Sequence, residues 1–338
     1  MEHGTYRSRK PMKKHVTITL FSLALSFIGT AQTLTMLKPV KMKKWGVPAA
    51  NYSGIAHLGG DRYAVVSDKQ TNDGYYEFRI VIDGTTGKVK DIKLIDFHKN
   101  ENKSRDAEGI CYANGKIYIS AEDDQRIIEY DEKGHRTGRE LAVPEGMTKD
   151  NIYSNYGFEA LTYSDETALF WTCTENTLRQ DGDVSSPEKP IAARLRLQSF
   201  NKALQPEKEH IYTTDAPRTK RQPRQMAFGV PAITALNDGS LLVLERQFFV
   251  AKKYIGSYVT NKIYRVVPFT DKPKTLMAEW TTRLNLTRRN IANYEGMCLG
   301  PKLDDGRQTI LLISDSQGGY GNSNFHLKDY LRVGIISE

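Results

Sequence analysis

The chain reads as an all-β protein, a β-propeller of four-stranded antiparallel blades, and three observations predict it. One pattern returns five times along 338 residues, and self-similarity at such a period means an array of like units. Eighteen tyrosines and many Ile/Val pairs favour strands. No stretch sustains a helical period, whereas Lys116-Ile-Tyr-Ile-Ser-Ala121 alternates as a half-buried strand does.

The clearest copy of the pattern is Asp106-Ala-Glu-Gly-Ile-Cys-Tyr-Ala-Asn-Gly-Lys-Ile-Tyr-Ile-Ser-Ala-Glu122. A short strand opens on Glu-Gly, Asn114-Gly115 turns the chain, and a second strand ends on a carboxylate. Asn-Gly suits this turn because both central residues take positive φ. The other copies begin at Asn51, Asn155, Gly229 and Asn293. Unit one supplies strands at 54–58, 62–67, 77–83 and 89–97, and unit two at 109–112, 116–121, 126–130 and 139–143. Unit three supplies 158–163, 168–174, 193–200 and 210–213, with a polar loop at 176–190. Unit four supplies 230–236, 240–248, 262–267 and 275–280. The last unit has only 294–299, 309–314 and 331–336, and residues 34–40 are expected to complete it, closing the ring. The count gives five blades, with a sixth left open.

Residues 1–31 are predicted to be a signal peptide and 32–338 a single domain. Arg7, Arg9, Lys10, Lys13 and Lys14 precede an apolar run at 16–28, and Gly29-Thr30-Ala31 offers small cleavage residues. The run is short for a bilayer span, so the mature chain is expected to be exported, periplasmic or secreted, without stable membrane insertion. The formal charge of +8 falls to +4 over residues 32–338, which gives no reason to expect a nucleic-acid partner. Cys111 and Cys298 share one repeat position and Cys173 lies in an apolar strand, so all three are expected as buried free thiols.

The pattern places acids where a propeller's channel opens. Glu108, Glu159 and Glu295 start first strands; Asp68, Glu122, Glu175, Glu245 and Asp315 end second strands. Crowded carboxylates raise one another's pKa or demand a cation, and oxygen-only donors suit Ca²⁺ better than Zn²⁺. Glu108, Glu122, Glu175, Glu245 and Asp315 are therefore the candidate metal ligands, the second-strand acids serving equally well as structural acceptors at strand ends. Glu108, Glu159 and Glu295 with Arg246 are the candidate catalytic set. Because Arg246 follows Glu245 on one strand, only one of the two can face the channel. Arg105, Arg224 (within the basic run 218–224), Tyr156 and Tyr294 are candidate substrate contacts, and Arg288 with Arg289 is a second basic pair. Tyr52, Tyr156 and Tyr294 recur at one position, as a rim or as packing between blades. Asp181-Gly-Asp183 echoes a Ca²⁺ loop without its full spacing. No Gly-x-Ser-x-Gly elbow, His-Glu-x-x-His helix or Walker loop is present.

Asp106-Ala-Glu-Gly-Ile, Asn155-Tyr-Gly-Phe-Glu-Ala-Leu, Leu242-Val-Leu-Glu-Arg246 and Asn293-Tyr-Glu-Gly-Met, in this order, resemble the phytase-like family, described by the esterase-like activity of phytase. The resemblance spans roughly residues 50–336. It implies an exported propeller and hydrolysis of ester or phosphate-ester bonds in a small anionic or ester substrate, with no organic cofactor. Unit four departs from the pattern, with Gly229-Val-Pro231 where Glu-Gly stands elsewhere. The alternative is a non-catalytic propeller that binds a glycan, a peptide or a cell-envelope partner through the same mouth.

Overall fold

The computed structural model describes residues 1, 2, 4, 32–219, 221–287, 290–319, 321, 322 and 325–337. All of the expected signal peptide except residues 1, 2 and 4, together with Lys220, Arg288 and Arg289, lies outside the described residues. Residues Gln32–Glu338 form one compact unit.

Five antiparallel sheets follow one another along the chain, and the first four are simple meanders. Sheet 1 comprises Tyr52–Gly59, Arg62–Ser67, Asn72–Ile82 and Val89–Lys103; sheet 2 comprises Ala107–Ala113, Lys116–Ala121, Arg126–Tyr130 and Arg136–Glu140. Sheet 3 comprises Phe158–Ser164, Leu169–Thr174, Arg194–Phe200 and Pro206–Thr213; sheet 4 comprises Gln225–Ala235, Leu241–Ala251, Tyr254–Val266 and Thr275–Arg283. Sheet 5 takes Asn293–Lys302, Gln308–Asp315 and Tyr330–Ser337, and its outer strand comes from the other end of the chain. Thr33–Met36 pairs antiparallel with Tyr330–Ser337, as expected, although 34–40 is not one strand: Val40–Lys41 pairs separately with the same partner. Among the described residues no sixth four-stranded sheet occurs. The remaining short strands Asn290–Ile291, Phe325–Leu327 and Gly321–Asn322 form a three-stranded sheet. The fourth strand of sheet 2 begins three residues earlier than its sequence suggests, at Arg136.

Neighbouring sheets bury alternate side chains against each other, so the core is a series of inter-sheet clusters. Tyr52, Tyr63 and Phe78 of sheet 1 meet Leu311, Ile313 and Leu331 of sheet 5, and Trp171 and Leu197 of sheet 3 meet Ile233 and Val243 of sheet 4. Cys111, Cys173 and Cys298 are buried free thiols within such clusters. The first strands of consecutive sheets touch, and that of sheet 5 touches that of sheet 1. Glycine makes this approach possible. A Cβ on Gly54 would stand 2.4 Å from the Glu108 carbonyl oxygen, and one on Gly109 would stand 2.6 Å from that of Glu159. The Asn114-Gly115 turn takes φ of 52° and 75°, the conformation its sequence calls for.

Candidate functional site

The starts of the first strands and the ends of the second strands converge on one cavity of about 600 Å³. Asp68, Asp106, Glu108, Glu122, Glu159, Glu175, Glu295 and Asp315 line it, with Lys69 and Arg246 as the cations set among them. The register explains who enters. In sheet 5, Asn293 pairs with Asp315 and a bulge at Glu295 separates Tyr294 from Gly296. A bulge re-aims the side chain it carries, and Glu108 and Glu159 occupy bulges of the same kind.

Sheet 4 corrects the sequence reading. Gly229 pairs with Arg246 as Asn293 pairs with Asp315. Arg246, not Glu245, thus holds the place of Asp68, Glu122, Glu175 and Asp315, and Pro231 stands where sheets 2, 3 and 5 carry the Glu bulge and sheet 1 carries Ser53. Glu245 faces the opposite side, where it accepts from Tyr212 (2.6 Å), Lys274 (2.7 Å) and the Asp215 amide (3.1 Å). It is no ligand of the cavity.

Arg246 is 5% exposed; both its Nη atoms turn to the acids around it, while its Nε is buried without a partner among the described residues. Its Nη1 reaches Glu295 Oε1 at 2.5 Å and Asn293 Oδ1 at 3.1 Å, and its Nη2 pairs with Glu175. It holds carboxylates in place rather than presenting a free guanidinium to an anion. Glu159 stands beside Glu175, whose charge opposes its ionisation. Asn293 Nδ2 donates to Glu295 at 2.6 Å, and Glu122 accepts from the Gly157 amide at 2.7 Å.

Burial and the excess of negative charge raise the carboxyl pKa values. Burial, then Glu295 and Asp68, push Glu108 well above the carboxylate range. Burial, then Glu175, push Glu159 well up against the pull of Arg246. Glu295 is raised by burial to about 7, with Arg246 opposing, and Asp315 is raised by burial and by Glu295 to about 9. Burial also raises Asp68, Glu122 and Glu175. One or more protons, or a cation, must compensate these groups.

One corner has the donor set for a hard cation. Oxygens of Asp68, Asp106 and Glu108 lie within 4.8 Å of one another. Asp68 Oδ1 is buried without a hydrogen-bond partner, and Lys69 Nζ reaches Asp106 at 2.9 Å and Asp68 at 3.1 Å. Asp106 sits at φ 59° just before its strand, a conformation that Asp tolerates better than most residues. An all-oxygen group of this kind fits Ca²⁺. Of the expected ligands, Glu108 belongs to this corner, while Glu122, Glu175 and Asp315 stand elsewhere around the cavity. Asp106 and Lys69 were not singled out from sequence. The signal for Asp106 was its place two residues before Glu108, at the entry to the same strand.

The expected substrate contacts divide. Arg224 is exposed at the cavity's edge, its guanidinium 5.2 Å from the Tyr254 ring. Arg105 is buried elsewhere, with two 2.7 Å bonds to Asp124 and a third, 3.1 Å, to Tyr130. Tyr294 is fully buried against Trp280 and Tyr52 donates to the Pro48 carbonyl, so no aromatic rim forms. Tyr156 is half-buried and does not line the cavity. Asp181 is taken by Arg194 and Arg196, and Asp183 by Lys189, which removes the Ca²⁺-loop reading. Among the described residues no helix is long and apolar enough to cross a membrane.

Several solved structures are similar over most of their length. An endo-arabinase from Bacteroides thetaiotaomicron shares 14% identity, over 88% of this chain and 96% of that one, with a TM-score of 0.48. The PQQ-bound aldose sugar dehydrogenase from Streptomyces coelicolor shares 11%, over 91% and 99%, with a TM-score of 0.39. A glutaminyl cyclase from Myxococcus xanthus shares 10%, over 91% and 98%, also at 0.39. Likeness this distant says nothing about what the chain does. No curated protein matches the sequence. The family model described as phytase-like, esterase-like activity of phytase, matches residues 47–317, which takes in all eight cavity carboxylates, and the chain belongs to that family.

Proposed function

We propose that this chain is an exported hydrolase of ester or phosphate-ester bonds, working from the carboxylate cavity of a closed five-bladed propeller. The observation that carries the reading is the junction, in one cavity, of eight carboxyls with a buried arginine and an all-oxygen corner suited to a cation. Charge-perturbed groups cluster in the clefts of functional sites.

Glu295, raised to about 7, is matched to general-base work near neutrality. It accepts the proton of a water whose oxygen bonds the acyl carbon or phosphorus, as the bond from that atom to the leaving oxygen breaks. Glu159, held protonated by burial and by Glu175, supplies a proton to the leaving oxygen. Arg246 is a positioning residue that orients Glu175 and Glu295. Asp68, Asp106 and Glu108 would hold a divalent cation such as Ca²⁺, whose charge polarises a carbonyl or phosphoryl oxygen.

The test is turnover of 4-nitrophenyl acetate and 4-nitrophenyl phosphate by residues 32–338, with Ca²⁺ and with chelator. Cation-dependent hydrolysis of either, reduced at least 100-fold in Glu295→Gln with folding retained, is the expected result. A folded protein inert towards both overturns the reading.

A further inference from the structure

The cavity has a second character that the carboxylates do not use. Sheet 4 is longer than its neighbours where it borders the mouth. Its first three strands run 11, 11 and 13 residues, against 7, 6 and 7 in sheet 3 and 10, 8 and 8 in sheet 5. Strand alternation then dictates what the extension shows. Arg246, Phe248 and Val250 stand at i, i+2 and i+4, and all three line the cavity. Met226 on the adjacent strand, Tyr254 and Leu327 complete one apolar side. A small core supports this wall from behind: Val259, Leu284, Ile291 and Leu327 pack together with Phe248 and Tyr254 against them.

A wall of this kind is chemically mismatched to a highly charged substrate. It is mostly hydrocarbon, with polar groups only at Arg224, Gln225 and the Tyr254 hydroxyl, and the facing surface is a crowd of carboxyls. A polyphosphorylated molecule would meet like charge on one side and hydrocarbon on the other. A molecule with one ester group and one apolar group meets neither problem. The cavity volume suits such a ligand, and ligand sites commonly combine an apolar lining with a few convergent polar groups.

We propose that the substrate is a carboxylic ester of low charge whose acyl or aryl group lies on the Met226–Phe248–Val250–Tyr254–Leu327 wall while its ester group meets the carboxylates. This rests on the hydrolase reading for the reaction, but not for the binding. Each methylene carried from water to the wall strengthens binding by about fourfold.

The experiment takes 4-nitrophenyl acetate, butyrate and hexanoate for turnover, and the matching 4-nitroanilides, as amide stand-ins, for binding by calorimetry. Affinity and kcat/KM are expected to rise at least tenfold from acetyl to hexanoyl. Phe248→Ala should flatten the series. Met226→Ser, at a half-buried position outside the core clusters, should lower its slope if Phe248→Ala fails to fold, with thermal midpoints verifying each fold. Anilide binding that grows with chain length without any ester turnover supports the wall and sinks the hydrolase. Turnover indifferent to chain length supports the hydrolase and overturns the wall. Flat anilide affinities, or faster turnover of a polyphosphorylated substrate than of every acyl ester, also overturn it.

Discussion

Replacing Arg246 by Gln gives the sharpest test of the electrostatics, because its cost should depend on pH. The guanidinium is the shared partner of Glu175 and Glu295 and is almost wholly buried. Stripping one partner from a buried ion pair costs about 3–5 kcal/mol if the other stays charged. These carboxyls can escape that cost by taking up protons. Glu295 has its folded pKa raised to about 7, so its stabilising contribution is complete below the unfolded value and is lost as pH rises through 7. Without Arg246, which holds the value down, the folded pKa climbs further and the loss continues to higher pH. At pH 5 both side chains are protonated in the variant, and the remaining deficit is the lost hydrogen bonds, about 1–2 kcal/mol. Above pH 7 each unreleased proton adds about 1.4 kcal/mol per pH unit, so the deficit at pH 8 should exceed that at pH 5 by about 1–3 kcal/mol. Urea unfolding of residues 32–338 at the two pH values measures the difference. Equal deficits would refute the idea that protonation and Arg246 neutralise the same charges.

The cation corner predicts that Ca²⁺ raises the thermal midpoint, and by more at pH 8 than at pH 5, since its ligands must be ionised; a shift that grows on acidification would contradict it. Lys69→Met removes an exposed ammonium from Asp68 and Asp106. Ca²⁺ affinity by calorimetry should tighten about fivefold, the worth of a surface ion pair, and weaker binding would show Lys69 to be part of the site. Glu245→Gln should destabilise the fold by about 1–3 kcal/mol through its buried partners, yet leave Ca²⁺ affinity within twofold. A tenfold loss would place Glu245 in the cavity after all. Gly109→Ala puts a Cβ 2.5 Å from Ser120 Oγ and 2.6 Å from the Glu159 carbonyl. Unfolding should become easier by about 1–3 kcal/mol, and an unchanged midpoint would mean the first strands can part freely.

The repeats were legible because their punctuation is local. Asn114-Gly115 states its turn without help from distant residues, and Glu-Gly states both a bulge and a close approach. Which residue faces the cavity is another matter, since one step of register exchanges the two faces of a strand. Four second strands end on an acid that enters, so the acid of the fourth unit, Glu245, looked like their equal. What breaks the analogy is Pro231, a residue without a backbone N–H where the other sheets place Glu or Ser. With Gly229 opposite Arg246, the strand presents Arg246, Phe248 and Val250 to the cavity and turns Glu245 and Gln247 away. Of the two readings of the repeated tyrosines, packing holds for Tyr52 and Tyr294 and the rim does not. Tyr52 and Tyr294 hold one repeat position and share one environment, but that position points between sheets, where a large ring fills volume.

That single register step makes the cavity workable. With Glu245 inside, every strand end would present a carboxylate, and nothing built into the ring of strand ends would offset them. With Arg246 inside, the fourth sheet delivers the ring's cation, pairs it with Glu175 from the sheet before and Glu295 from the sheet after, and leaves Asp68, Asp106 and Glu108 on the far side for an external ion. The cavity is therefore asymmetric: an acid cluster organised by Arg246 on one side, and on the other an acid group that only the exposed Lys69 neutralises. The same strand that supplies the cation supplies the apolar wall, so sheet 4, the repeat that departs most from the shared pattern, sets how the charges are arranged and which substrates can lie against them.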